Sequence, residues 1–321
     1  MKVGLVLGAG GVVGAAYHAG ALIALEQDLG WDPRQAEVIV GTSAGSLVGG
    51  LLRSRVPAGD LGAWTVGAPL SPDGIAIADA LQPEFDPITL RTFMRLPRLP
   101  HPHAVWSAVR HPLRFDPMRA LMTHMHDGKQ LLAPHLEFLG TGWPERRLYI
   151  CAVRRRSGQR VVFGRTSHPG DGLGAAVAAS CAVPGYFSPV EVDGDLYIDG
   201  GIASPTNADT VRELDLDLVI VLSPMTTIER LPRYSFDRIA RERATRQLRR
   251  ELTVLERRGI RTMVLEPGAE VLEHITLDFM SDEHAREIVA ASFLETGTQL
   301  RSDALRTTAN RLREAVRDVA A

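Results

Sequence analysis

Ser43 stands at the centre of Gly41-Thr42-Ser43-Ala44-Gly45, between the β-branched run Val38-Ile39-Val40 and the apolar stretch that starts at Ser46. That order predicts a buried strand, a tight turn and a helix, with the hydroxyl held at the turn. Glycines at 41 and 45 remove Cβ atoms where strand and helix crowd each other, which is the build of a nucleophile elbow. The helix that starts there aims free amides and the positive end of its dipole at whatever the serine attacks, favouring a developing oxyanion. A second stretch, Gly8-Ala9-Gly10-Gly11-Val12-Val13-Gly14, is read as a glycine-rich turn between a short strand at 2–7 and a helix at 15–27. Such a loop of amides suits either a dinucleotide pyrophosphate or an oxyanion. Glu26, Asp28 and Asp32 lie near the distance at which a ribose partner is sought, but a dinucleotide site leaves the serine elbow without a use.

The candidate base is Asp199, in Asp199-Gly200-Gly201. Asp-Gly pairs also begin at Asp73, Asp127, Asp171 and Asp193, where a turn is the ordinary explanation. Asp199 differs because a hairpin, 190–192 and 195–198 around Asp193-Gly194, delivers it and because a second glycine follows. An aspartate with its usual pKa of about 3.9 is a weak base, so this role demands partial burial and a direct hydrogen bond to the serine.

A glycine-rich loop at the N-terminus, Gly-Thr-Ser-Ala-Gly one βα unit later and a late Asp-Gly-Gly together resemble the patatin-like phospholipase family. The resemblance covers about residues 2–55 and 148–225. It implies a three-layer α/β fold with a mostly parallel central sheet, helices on both faces and a helical or loop cap. It further implies a Ser43–Asp199 dyad without histidine, an oxyanion hole from the amides of Gly10 and Gly11 with Ala44, and Gly14, Gly41, Gly45, Gly200 and Gly201 as motif glycines. Acyl esters of phospholipids, lysophospholipids or related lipids would be cleaved through an acyl-Ser43 intermediate, with no cofactor. Two positions depart from the family's Gly-Gly-Gly-x-Arg/Lys-Gly pattern: Ala9 replaces a glycine and Val13 replaces the basic residue.

The elements around these residues are those of one large α/β unit spanning 1–321. Residues 57–135 hold 11 of the 20 prolines and read as short helices and loops forming a cap, with Trp64, Phe85, Phe93, Met94, Trp106, Phe115, Met118, Met122 and Met125 as bulky apolar groups. Strands are expected at 148–153, 160–163, 218–222 and 260–265, and helices at 174–180 and 207–213. The part from 235 to 321 is mainly helical, with helices at 282–296 and 299–319 broken near Gly297. Residues 235–258 carry eight arginines against four acidic residues, a basic helix suited to peripheral contact with a membrane surface or to plain ion pairing.

Composition excludes several classes. A formal net charge of −2 gives no general attraction to nucleic acid. Cys151 and Cys181 are too few for a disulfide framework and read as buried thiols of a reducing, cytoplasmic setting. Glycines interrupt the uncharged stretch between Lys2 and Glu26, which reads as a first strand and helix instead of a leader peptide. His101, His103, His111, His124, His126 and His135 cluster in the cap, but no flanking carboxylate or cysteine completes a metal set. Two other classes compete: a Ser-His-Asp α/β-hydrolase using His274 or His284, against which the early position of the elbow counts, and a non-catalytic lipid- or dinucleotide-binding protein.

Overall fold

The computed structural model describes residues 1–78, 117–165, 171–229, 238–275 and 278–320. Residues 79–116, about half of the expected cap, lie outside the described residues, with Phe85, Phe93, Met94, Trp106, Phe115, His101, His103 and His111. In chain order the elements are β1 (Val3–Leu7), α1 (Gly11–Leu29), β2 (Val38–Thr42), α2 (Ala44–Arg53), α3 (Ala58–Val66), α4 (Pro72–Ala78), α5 (Pro117–Thr123), α6 (Ala133–Leu136), β3 (Arg147–Arg154), β4 (Gln159–Phe163), α7 (Gly172–Cys181), β5 (Val190–Val192), β6 (Asp195–Asp199), β7 (Leu218–Leu222), α8 (Arg238–Glu256), β8 (Arg261–Leu265), α9 (Ala269–His274), α10 (Ala285–Arg301) and α11 (Arg306–Ala320).

They build one sheet in the order β5-β6-β3-β2-β1-β7-β8, with β4 on the other flank of β3. Strands β3, β2, β1, β7 and β8 run parallel, β4 and β6 pair antiparallel with β3, and β5 pairs antiparallel with β6. The central strands are apolar on both faces because both are covered. Leu5, Ile39, Leu148, Ile150, Leu218 and Ile220 join the larger core under α1, α2, α7 and α10, whereas Val6, Val38, Val40, Tyr149, Val219 and Val221 face α8. Period-two alternation therefore feeds two cores from one sheet.

Three expected boundaries move. Helix α1 starts at Gly11, so only Gly8 to Gly10 form a loop and the rest of the glycine run is the helix's first turn. The expected helix at 207–213 is a single 3-10 turn, Ala208–Val211, entered through Asn207 in the left-handed region. The C-terminal break falls after α10 and not near Gly297, which is buried inside that helix beside the side chains of Asp28 and Arg301. Ser302 ends the helix, its amide and hydroxyl both donating to the Gln299 carbonyl. The C-terminal part is integral to the fold: α10 lies on α1, where a Cβ at Gly20 would strike Ser292 and the Val289 carbonyl. Among the described residues no helix is long and apolar enough to cross a membrane.

Candidate active site

Sheet register explains how residues 156 positions apart meet. Strand β2 pairs with β3 as far as Thr42 opposite Cys151, and β6 pairs with the next residue of β3, placing Asp199 opposite Ala152. Strand β4 occupies the other flank at both positions. β2 and β6 therefore lie end to end along one flank of β3, and the turn after Thr42 meets Asp199. The Gly201 amide donates to Asp199 Oδ1 at 2.6 Å, and the Ser43 hydroxyl lies close enough to the same carboxylate to lower its pKa. Burial raises the pKa of that carboxylate to about 6, and the neighbouring Ser43 hydroxyl and Gly201 amide oppose the rise. Gly200 lets this end close up, since a Cβ there would fall on the Cys151 carbonyl and near Thr42.

Ser43 itself is strained, at φ 52 and ψ −124. Ser180 at the end of α7 holds it: the Ser43 amide donates to Ser180 Oγ at 2.9 Å, and that hydroxyl donates to the Cys151 carbonyl at 2.6 Å. The Ser43 carbonyl accepts from the Ser46 amide at 2.7 Å and the Ser46 hydroxyl at 2.6 Å. Beneath the turn, Asn207 Nδ2 donates to Thr42 Oγ1 at 3.0 Å, while its Oδ1 accepts from Arg160. Glu251, buried on α8, fixes the same segment through the Thr206 hydroxyl and the Ala208 amide. Ser180 lies in the run 179–189 that resembles the family's segment before its aspartate, whereas Asn207 and Glu251 belong to no recognisable motif and only their positions in space reveal them.

Two helix N-termini flank the serine. The Gly8 amide donates to the Leu222 carbonyl and the Ala9 amide to that of Pro205, which anchors the loop before α1. The Val13 amide is taken by the Phe279 carbonyl and the Gly14 amide by that of Gly10. Among the described residues the amides of Gly10 and Gly11, and of Ala44 and Gly45 on α2, have no acceptor. A Cβ at Gly45 would overlap the Leu7 carbonyl, so the start of α2 sits directly on the end of β1 and both sets of amides lie at one edge of the sheet. Gly11, at φ 63, lies against the Phe279 carbonyl, which brings the C-terminal part of the chain into this edge. Val13, at the position where the resemblance calls for a cation, is buried in the main core.

The two thiols differ. Cys151 is buried in the sheet, whereas the half-buried Cys181 places its Sγ 3.5 Å from Ser46 Oγ, close to Ser43 and Asp199. Burial first, then the Asp199 charge, pushes the Cys181 thiol up to about 12, so it stays protonated beside the serine.

His18 holds the glycine loop from below. Its Nε2 lies 2.7 Å from the Gly8 carbonyl, which can only accept, so Nε2 carries the proton. Among the described residues the buried Nδ1 has no hydrogen-bond partner. Burial lowers the pKa to about 4, against the bond to Gly8. The folded state therefore binds fewer protons than the unfolded chain between about pH 4 and 6.5, and stability is lost as pH falls through that window. Relative to His18→Gln, which cannot titrate, the wild type loses about 3 kcal/mol across it. Urea unfolding of both proteins at a series of pH values measures this; parallel stability curves are the contrary result.

Other sequence expectations fare differently. Asp28 pairs with Arg301 and Asp32 with Arg34. Glu26 and Asp28 lie in the last turn of the 19-residue α1 and Asp32 just past it, about 25 Å of helix from the glycine loop, so they are not a ribose partner for it. His274 and His284 face each other with ring centroids 6.1 Å apart, and no hydrogen bond joins either to Ser43 or Asp199 among the described residues. Among those residues no group of three or more His, Cys, Asp or Glu could hold a metal ion.

The family model for patatin-like phospholipase matches residues 5–212, which span the glycine loop, the elbow and Asp199. The chain belongs to the patatin-like phospholipase family. Curated relatives agree over a short stretch: uncharacterized NTE family proteins of Mycobacterium bovis and Mycobacterium tuberculosis are 45% identical over 51 residues, which is 16% of this patatin-like chain and 14% of theirs. Among solved structures, VipD from Legionella pneumophila superposes with a TM-score of 0.40 at 12% identity, covering 93% of this chain and 67% of that one. The type III effector ExoU gives 0.37 at 17% identity, covering 94% and 54%.

Proposed function

We propose that the protein is a lipid acyl hydrolase that cleaves carboxylic esters of phospholipids, lysophospholipids or related lipids through an acyl-Ser43 intermediate. The observation that carries this reading is the strained Ser43 turn brought by the sheet register against a buried Asp199, whose pKa is lifted to about 6. Asp199 takes the hydroxyl proton as Ser43 Oγ attacks the ester carbonyl, and the amides of Gly10, Gly11 and Ala44 stabilise the oxyanion. Collapse releases the alcohol, which receives that proton, and leaves the acyl group on Ser43. Asp199 then activates water, which frees the fatty acid and restores the hydroxyl. Raising the pKa of the base towards neutral pH strengthens it while leaving it ionised at neutral pH, which is how a carboxylate serves without a histidine. Family membership supports the lipid substrate class.

The test is intact mass after exposure to a fluorophosphonate. Wild type gains one adduct and Ser43→Ala gains none, and Ser43→Ala also loses ester hydrolysis by about 10³-fold or more. An unmodified wild type that is folded and open to a small reagent, or an adduct retained by Ser43→Ala, refutes the assignment.

A further inference from the structure

The outer face of α8 has no role in the chemistry above. The helix buries Arg241, Ala244, Leu248, Glu251 and Leu255, a 3-4-3-4 repeat packed on the sheet. The opposite face carries Ile239, Arg243, Arg246, Arg250 and Arg257 in one line, all exposed. Among the described residues of α8 little acidity neutralises it: Glu242 pairs with Arg238, Glu251 is buried in the network under the elbow, and Glu256 alone is left on the outside. Arg246, Arg250 and Arg257 enter no ion pair among the described residues. On a chain of net charge −2 this is a concentrated basic ridge, about 27 Å long from 239 to 257 at the helical rise.

Exposed aliphatic groups mark the end of the ridge nearest the site. Ile239 is 71% exposed and Ile228, in the loop after β7, 60%. Arg241 ties this end of α8 to that loop, donating to the Pro224 carbonyl at 2.8 Å and to that of Thr226 at 3.1 Å. Pro224 in turn backs the glycine loop: a Cβ on Gly10 would lie 3.0 Å from Pro224 Cβ. Pro224 therefore links the first turn of α8 to the glycine loop whose amides are assigned to the oxyanion.

From this we infer that α8 docks the protein on an anionic phospholipid bilayer, with the arginine ridge on the headgroups and Ile239 and Ile228 in the interface. The inference rests on the lipid hydrolase reading and adds a recruitment surface to it. A bilayer suits the ridge better than a nucleic acid does. The exposed line holds no aromatic group for base stacking, and it ends in aliphatic side chains that gain from apolar contact. Docking would present the edge that carries Ser43 to the lipid.

Binding is measured by sedimentation of the full chain carrying Ser43→Ala, which cannot consume the vesicles, with phosphatidylcholine alone and with equimolar phosphatidylcholine and phosphatidylserine. Binding is expected to the anionic vesicles only and to weaken with added salt. Changing Arg246, Arg250 and Arg257 together to glutamine lowers affinity roughly 100-fold, while the same three changed to lysine retain it within roughly threefold. In the Ser43 background the glutamine variant hydrolyses a soluble short-chain ester as wild type does. Equal binding to both vesicle types, unchanged binding by the glutamine variant, or binding to RNA with none to vesicles overturns the docking. Vesicle binding with no ester hydrolysis by wild type overturns the hydrolase reading alone.

Discussion

Asp199→Asn is expected to lower ester turnover roughly 10³- to 10⁴-fold while making the folded protein more stable at neutral pH. The carboxylate is buried, and burial is the dominant influence that lifts its pKa to about 6 from the unfolded value of 3.8. Between those values the folded state binds the extra proton, so stability falls as pH rises through the window, and the whole cost is present above about 6. An amide keeps an oxygen to accept from Ser43 and Gly201 but carries no charge to desolvate. The variant therefore gains up to about 3 kcal/mol above pH 6, and the gain vanishes near pH 4. His18 works with the opposite sign over nearly the same window, because its neutral form is the one the fold favours. In wild type the two slopes largely cancel, and Asp199→Asn exposes the His18 slope as an unusually acid-sensitive stability curve. Denaturant unfolding of both proteins from about pH 4 to 8 decides it; equal stability throughout would show that the carboxylate is not desolvated. In wild type, kcat/KM should rise with pH as Asp199 ionises and level off above about 6.

Much of this site was legible along the chain because its parts are local. Val38-Ile39-Val40 running into Gly41-Thr42-Ser43-Ala44-Gly45 announces a strand and a helix with a serine between, and β2 and α2 are found there. Asp193-Gly194 announces a two-residue turn, and both residues have positive φ, at 49 and 77, between β5 and β6. What periodicity cannot supply is sheet order. Nothing in residues 147–199 states that β6 runs antiparallel on the flank of β3 that β2 leaves vacant, and that placement brings Asp199 to Ser43. The same holds for Ser180 under the Ser43 amide, Asn207 under Thr42 and Phe279 on Gly11, whose partners lie more than a hundred residues away. The glycine run misled in a local way. Gly11 reads as loop by propensity, yet with a positive φ it opens a helix, because closing against the Phe279 backbone leaves no room for a side chain. At Gly297 the packing of α10 overrides the same propensity, and the helix continues past it.

Gly45→Ala should prevent folding, while Gly50→Ala, five residues along the same helix, should be harmless. A methyl at 45 would sit closer than 3.0 Å to the Leu7 carbonyl carbon and oxygen and the Gly8 oxygen, all backbone atoms of the β1 end. Neither side can yield. Leu7 is locked in the sheet between β2 and β7, and Gly8 is tied to Leu222 and His18. Relief requires α2 to slide off β1, which would pull Ser43 away from Ser180 and Asp199 and breach the main core. A cost on the order of 5 kcal/mol or more is expected, comparable with the entire stability of an ordinary domain. At Gly50 the nearest atoms to a new methyl are side-chain carbons of Val177 and Leu139, at 3.7 and 3.8 Å, which is ordinary contact. There the higher helix propensity of alanine leads, and a gain of about 0.5 to 1 kcal/mol follows. Soluble yield and thermal unfolding of the two variants side by side separate close approach from a general need for small residues in α2. If Gly45→Ala folds with wild-type stability, the elbow does not rest on β1, and the convergence of the two helix N-termini at Ser43 loses its physical basis.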